Sequence, residues 1–339
     1  MRKWFWLVLL MLIVISGSGL LPQRRSITGA SLQPSSMSRV DGNFKIALPS
    51  PVPAPQVNSK QLLGHIQRLN FKRYTEAGRD RARTYLTQSL KKSGWTPQLQ
   101  PFEGGANIVA QRQGTDPTAG TVLVAAHYDT VAVSPGADDN ATGVAVVLEV
   151  ARLLGSRPTP RTLQLALFDQ EELGLRGSRA FTADKDQLEN LRAVIVMDML
   201  GFACHKAGCQ RYPTGLPITP PTNRGDFVAV VGDTEHLPLL NVFQSSQPNL
   251  PPVFTLPVPW KGLLMPDTLR SDHAPFWYQG VGAVLLTDTA NLRTPHYHKS
   301  SDTPATIDKS FFTGAAQIVV NATAKLLEIA RRQDWTGSY

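Results

Sequence analysis

Cysteine is almost absent from this chain of 339 residues: Cys204 and Cys209 are the only two. With no second pair, the C-x4-C spacing is the weaker reading as a zinc site, although His205 lies between the two thiols. A small local disulfide in a Gly-containing loop is the expected use in an oxidising compartment, with a modest effect on global stability. A basic stripe interleaved with aromatic residues is also missing. Lys and Arg number 34 against 26 Asp and Glu, a net charge of +8, but the basic residues are scattered, which argues against nucleic-acid binding. What remains is a mildly basic surface suited to anionic surfaces or substrates. No internal repeat is visible. At 42% hydrophobic and 18% charged, the composition is that of globular material able to bury a sizeable core.

Long apolar runs are confined to the N-terminus. Arg2 and Lys3 precede an uninterrupted run from Trp4 to Ile15, followed by Ser16-Gly17-Ser18-Gly19. This is the charged, apolar and small-residue order of an export signal. The run is short of the ~20 apolar residues that a spanning helix needs. Extended through Leu21 it comes close, so residues 1–21 read as a signal peptide or a membrane anchor. No cysteine follows, which argues against a lipoprotein. Residues 22–58, with six prolines from Pro22 to Pro55 and many Ser and Gln, read as an extended tether.

From Ser59 the pattern becomes that of a folded domain. Leu62, Leu63, Ile66 and Leu69, then Ala82, Tyr85, Leu86 and Leu90, recur at helical spacing, with a break expected around Glu76–Arg79 and Gly94 as a C-cap. Apolar runs at Asn107–Gln111, Thr121–Ala126, Leu163–Phe168, Ala193–Met197 and Gly282–Leu286 read as strands, several of them buried on both faces. Helices are expected over Thr142–Leu154 and Ser310–Arg332. The alternation indicates an α/β sandwich around a largely parallel sheet. The segments 201–225 and 248–268, rich in Pro and Gly, read as loops forming a rim or lid.

Polar clusters stand at the ends of these strands, where ligands of open α/β sheets gather. They are His127-Tyr128-Asp129-Thr130, Gly136-Ala137-Asp138-Asp139-Asn140, Asp169-Gln170-Glu171-Glu172 and Asp198; a fifth cluster, His296-Tyr297-His298, lies near the end of the chain. Each has a plain alternative. Asp138 or Asp139 can cap the following helix, and Glu171 and Glu172 can open one. Asp198, ending a buried run, needs a partner or a metal. Two or more imidazoles and several carboxylates without thiolates form a plausible hydrolytic zinc environment.

In their order, HYDT, GADDNATG, FDQEELGLRGS, VMDM, SDHAPF and YHKSSDT resemble the zinc-dependent M28 peptidase family, which also includes glutaminyl cyclases. The resemblance covers nearly all the chain after Ser59. It implies a three-layer α/β/α sandwich with a mixed, largely parallel sheet, and a single peptidase domain over 59–335. It also implies two zinc ions held by His127, Asp138, Glu172, Asp198 and His298, with Asp138 bridging them. Asp129 would orient His127, and Glu171 would be the general base acting on a water between the metals. His298 is preferred to His296 because it immediately precedes KSSDT. Tyr297 is placed near the reacting carbonyl. Asp272, with Ser271 and His273, is placed near the substrate pocket, where capping the next segment is the alternative for Asp272.

The expected activity is hydrolysis of peptide or protein substrates by an exported exopeptidase, most simply an aminopeptidase. The alternative is a glutaminyl-peptide cyclotransferase on the same fold, with a single catalytic zinc. Oligomeric state, side-chain preference and the end of the substrate attacked are not legible.

Overall fold

The computed structural model describes residues 53–213, 216, 220–244 and 248–329. The export or anchor segment, most of the tether, and the end of the expected last helix lie outside these residues. The tether's final residues are tied to the domain. Val57 donates its N–H to Gln317 Oε1 at 2.9 Å, and Asn58 donates to Glu149 Oε1 at 2.6 Å. Asn58 also caps the first helix, α1 (Ser59–Leu69), by accepting from the Gln61 N–H.

The break between the first two helices falls at residues 70–75, earlier than expected. Thr75 caps α2 (Glu76–Lys92) and so starts it at Glu76. Gly94 takes a left-handed φ of +83° directly after that helix. A hairpin follows, β1 (Gln98–Phe102) and β2 (Gly105–Arg112), then β3 (Thr121–His127), α3 (Ala141–Leu154) and β4 (Thr162–Phe168). Next come α4 (Arg176–Ala183), the single turn α5 (Lys185–Leu188) and β5 (Leu191–Met197). The later half adds β6 (Val228–Asp233), α6 (Leu237–Asn241), β7 (Val253–Val258), α7 (Ala274–Tyr278), β8 (Ala283–Thr287) and α8 (Lys309–Leu327). The segment 248–268 is therefore not all loop: β7 lies within it.

The eight strands form one sheet in the order β1-β2-β4-β3-β5-β8-β6-β7. Its centre, β4-β3-β5-β8, is parallel; β1-β2, β2-β4 and β8-β6 are antiparallel, and β6-β7 at the far edge is parallel. Alternation along β3 shows why the central strands are apolar throughout. Val122, Val124 and Ala126 join one buried cluster, with residues of α1, α2, α3 and α8. Leu123 and Ala125 join the other, with Phe181 of α4 and Phe276 and Trp277 of α7. Helices thus cover both faces and give three layers, the α/β sandwich expected. The sheet runs from β3 out to β4, then back past β3 to β5. That reversal makes the carboxyl end of β3 a topological switch point, where open sheets bind ligands.

Candidate metal centre

His127 is the last residue of β3, Glu171 and Glu172 follow β4, and Asp198 follows β5. Three residues in the turns that carry these groups adopt left-handed backbone conformations: Gln170, Met199 and His298, each at φ 57°. For non-glycine residues such conformations are strained and cluster where a side chain must be aimed.

Two groups of ligand atoms converge here, His127, Asp139 and Asp198 in one, and Asp139, Glu172 and His298 in the other. Within each group the atoms lie no more than 4.8 Å apart. Asp139 belongs to both. Its Oδ1 is 3.4 Å from His127 Nε2, and its Oδ2 is 3.3 Å from His298 Nε2. Asp198 Oδ1 is 3.6 Å from His127 Nε2, and Glu172 Oε2 is 3.0 Å from His298 Nε2. Four of the residues read from the sequence, His127, Glu172, Asp198 and His298, are thus brought together.

Asp138 is not among them, and this corrects the expectation that it would bridge. Its Oδ1 accepts the Gly201 N–H at 2.8 Å and lies 3.2 Å from Thr142 Oγ1. Its carboxyl also shares a proton-mediated contact with Asp288, and burial followed by the charges of Asp288 and Asp302 pushes it well above the usual carboxylate range. Asp138 therefore fastens the loop to the end of β5. Neither aspartate caps α3. Asn140 does, accepting from Gly143 N–H at 3.0 Å while its amide donates to Met197 O at 2.9 Å. The peptide between Asp139 and Asn140 is cis.

The residues that hold this loop went unassigned in the sequence. Asp302 accepts the backbone N–H of Asp138 at 2.8 Å and of Asp139 at 3.1 Å. Arg73 is fully buried, and its guanidinium donates to the carbonyls of Tyr128 at 2.7 Å, Pro135 at 2.8 Å and Gly136 at 2.9 Å. Burial lowers its pKa to about 10, although Asp139 and Asp129 oppose the shift. Asp302 sits in the SSDT stretch that served only to choose His298. Nothing in the sequence around Arg73 marks it.

Asp129 stands behind His127, with Oδ1 3.4 Å from Nδ1, and accepts the backbone N–H groups of Glu171 at 3.0 Å and Glu172 at 3.2 Å. One carboxylate thus aims the imidazole and fixes the turn that carries both glutamates. Glu171 lies 3.9 Å from His127 Nε2, and burial, then the charges of Asp198 and Asp272, raise its pKa well above the usual range against the pull of His127. Asp169, the first acid of the same cluster, is structural: it pairs with Arg79 and Arg83 at 3.0 Å each.

His296 is turned away, with Nδ1 2.9 Å from Ser301 Oγ. Tyr297 stacks on His298 with ring centroids 3.7 Å apart, and its hydroxyl accepts from Arg270 at 3.0 Å. Asp272 does not reach substrate space, contrary to expectation. It is fully buried and absent from the cavity lining, close enough for its charge to act on Glu171, and burial pushes its carboxyl up to about 7. Ser271 lines the cavity in its place.

That cavity, about 530 Å³, opens beside Asp139, Glu171, Glu172, Asp198 and His298. Its floor is the face of the sheet formed by Ala229, Val231, Phe254, Leu256 and Leu285. Loop residues Tyr212 and Leu292 wall it, and Asp267 and Arg270 stand among its polar lining. Cys204 and Cys209 are joined in a disulfide, as expected, at the base of the loop that carries Tyr212. Gln210, next along, accepts from Arg293 Nε at 2.8 Å, and Arg293 Nη2 donates to Phe227 O at 2.9 Å. The described residues of 201–225 thus supply part of the cavity's rim, as read.

The donor set suits zinc, being imidazole and carboxylate without thiolate. Nε2 of His127 and Oε1 of Glu172 are buried without a hydrogen-bond partner. In the protein alone, Glu172 is pushed up to about 7 by burial and then by Asp139. Orphaned donors and crowded carboxylates are what a bound cation relieves.

Residues 107–323 match Peptidase family M28, and the chain belongs to that family. It is therefore a hydrolase of the peptidase class. Among curated relatives, the uncharacterized protein YfbL of Escherichia coli K12 is 30% identical over 257 residues, covering 71% of this chain and 77% of YfbL. Aminopeptidase YwaD of Bacillus subtilis 168 is 42% identical over 218 residues, covering 62% of this chain but only 42% of YwaD. Among solved structures, the LapA aminopeptidase of Legionella pneumophila superposes with a TM-score of 0.63 at 18% identity, covering 81% of this chain and 73% of LapA. The glutaminyl cyclase of Porphyromonas gingivalis gives a TM-score of 0.59 at 19% identity, covering 80% of this chain and 99% of the cyclase. At these identities the two structures speak to the fold alone.

Proposed function

We propose that this chain is a two-zinc aminopeptidase with Glu171 as its general base. The observation that carries the reading is Asp139, whose two carboxylate oxygens face different imidazoles and so join two ligand groups into one site. His127 and Asp198 would hold one ion, Glu172 and His298 the other, and Asp139 both. When bound, the zinc pair supplies Lewis acidity toward the scissile carbonyl and makes a water a usable nucleophile near neutral pH.

The remaining work falls to side chains. Glu171 accepts the proton of the attacking water and, as the carboxylic acid, passes it to the departing amine. Its buried position among other carboxylates raises its proton affinity, which suits both halves of that transfer. Asp129 keeps His127 aimed and the Glu171–Glu172 turn in place. Tyr297, held by Arg270, lies beside His298 where a hydroxyl can donate to the developing oxyanion. The apolar cavity floor accepts the side chain of the residue being released, which favours bulky apolar residues over charged ones.

Relatives named as aminopeptidases support the choice of the amino end. The full pair of ligand groups favours peptidase over the single-zinc cyclase. Export is part of the same reading, since a disulfide belongs to an oxidising compartment. No described helix is long and apolar enough to cross a membrane.

A panel of aminoacyl-nitroanilides, N-blocked peptides and glutaminyl peptides tests it, with metal content measured on the same sample. Release of free N-terminal residues by protein holding two zinc ions is expected. One zinc per chain with pyroglutamate formation would replace the reading by the cyclase.

A further inference from the structure

Eight large hydrophobic side chains are notably exposed among the described residues, and three of them share one turn: Trp260 at 67%, Leu263 at 77% and Leu264 at 67%. A fourth, Tyr278 at 61%, ends α7, which packs against this turn. Trp260 and Lys261 both adopt left-handed backbone conformations, φ 50° and 51°, and the turn closes at Gly262, also left-handed at φ 80°. Gly262 sits against Leu269 and Thr268, two residues of the cavity lining. The apolar tip is therefore built on the outside of the cavity wall without contributing to the cavity itself.

From this arrangement we propose that the Trp260–Leu264 tip docks on an anionic lipid surface. An indole and two leucines at the end of a short protrusion combine an interface-seeking ring with groups that enter the acyl region. From Val258 to Pro266 the sequence contains a lysine and no carboxylate; Lys261 is held by Glu235 of a neighbouring turn at 3.4 Å. The chain's net charge of +8, most of it carried by the segments flanking residues 53–329, supplies long-range attraction to anionic headgroups.

A second copy of the chain fits the tip less well. Three side chains of this size present on the order of 400 Å², about half of the ~800 Å² per partner in a standard interface. A bilayer needs no matching surface, so a small apolar tip with a charged background is enough.

The test is co-sedimentation of the chain from Pro22 onward, freed of the apolar run 1–21 that would itself enter lipid, with phosphatidylcholine vesicles, with and without phosphatidylglycerol. It compares the natural protein with a Trp260→Ser, Leu263→Ser, Leu264→Ser triple variant. Hydrolysis of a soluble substrate by the variant checks its fold, since none of the three side chains lines the cavity. Binding to anionic vesicles that weakens with salt, and falls about tenfold or more in the variant, is expected. Brominated lipids should quench the natural protein's fluorescence, and a Trp260→Phe variant should lose that response. Undiminished binding by the triple variant, no binding by the natural protein, or sedimentation showing that the tip instead joins two copies would each overturn the proposal. These readouts concern lipid, so they stand whichever substrate the site hydrolyses.

Discussion

Asp302 reaches across 163 positions of sequence to accept the backbone N–H of Asp139 at 3.1 Å. Its other oxygen accepts from Asp138 at 2.8 Å, so one buried carboxylate fixes the short stretch from which Asp139, the residue common to both ligand groups, projects. Partners standing behind metal ligands commonly govern affinity by about 10- to 100-fold. Asp302→Ala should weaken zinc retention by that amount, as measured by competition with a chelator, while leaving all five ligand side chains in place. Unchanged affinity would show that the loop holds its shape without Asp302.

Adjacent aspartates should behave differently. Asp139→Asn removes a ligand common to both groups and should lower zinc content and reduce kcat/KM by at least about 100-fold, beyond the loss of an outer partner. Asp138→Asn keeps an acceptor for the Gly201 N–H and can still hydrogen-bond Asp288, so it should retain both metals. Elemental analysis of the two purified variants decides the matter. Loss of one zinc from Asp138→Asn, with Asp139→Asn intact, would reverse the assignment.

Glu171→Gln should separate binding from chemistry. The amide preserves size and cannot take up the water's proton, so kcat should fall by about 10²–10⁴-fold with KM little altered. Zinc content should stay at the natural level, because Glu171 belongs to neither ligand group. A variant that keeps its activity would remove Glu171 from the mechanism.

The contrast between Asp138 and Asp139 marks the limit of the sequence as a guide. Strands β3, β4 and β5 were legible because burial on both faces leaves largely apolar runs, and the polar residues ending them are where a parallel sheet binds ligands. Which of two neighbouring carboxylates faces the metals is another matter. It depends on the contacts made by Gly201, Thr142 and Asp302, of which Gly201 and Asp302 are remote in sequence from that loop. Asp272 misled for a related reason: a motif places it near the site, but not on which side of Glu171. Edge strands were also lost. Strand β7 carries Pro257 and lies at the sheet's rim, where one side needs no ladder, so its composition resembles that of a loop.

Proton affinity in the metal-free protein predicts how its stability varies with pH. His298 is raised from 6.5 to about 10, by Asp139 and Glu172 overcoming burial, and Glu172 from 4.5 to about 7. Asp272 at about 7 and Asp288 and Asp302 at about 6 point the same way. The folded chain then binds more protons than the unfolded one between each pair of values, so stability falls as pH rises. The His298 contribution is full below about 6.5 and lost through 10. Asp139 is shifted down, and its opposing effect lies below the ordinary carboxylate range, while His273, lowered to about 4 by burial, opposes only below about 6.5. With chelator present, the melting temperature should therefore drop from about pH 5 to about pH 9. Zinc competes with the same protons, so its stabilising effect should grow over that interval. Calorimetry with and without zinc measures both; a rising melting temperature in the chelated protein would contradict the shifts.

Selectivity should be set on the cavity floor, and Ala229 is the place to change it. The residue lies on β6 between Val228 and Val230, which join the opposite core, so its methyl group points into the cavity with Val231, Phe254 and Leu256 nearby. A larger side chain there occupies space that the released residue's side chain would fill. Ala229→Phe should therefore raise KM for leucyl- and phenylalanyl-nitroanilide by about tenfold or more, a loss matching one or two methylene-sized contacts. Alanyl-nitroanilide should be little affected, and kcat for it should stay near the natural value because no ligand or base is touched. Equal loss on all three substrates would mean that the apolar floor does not receive the first side chain, and that the amino-terminal residue is held elsewhere along the cavity.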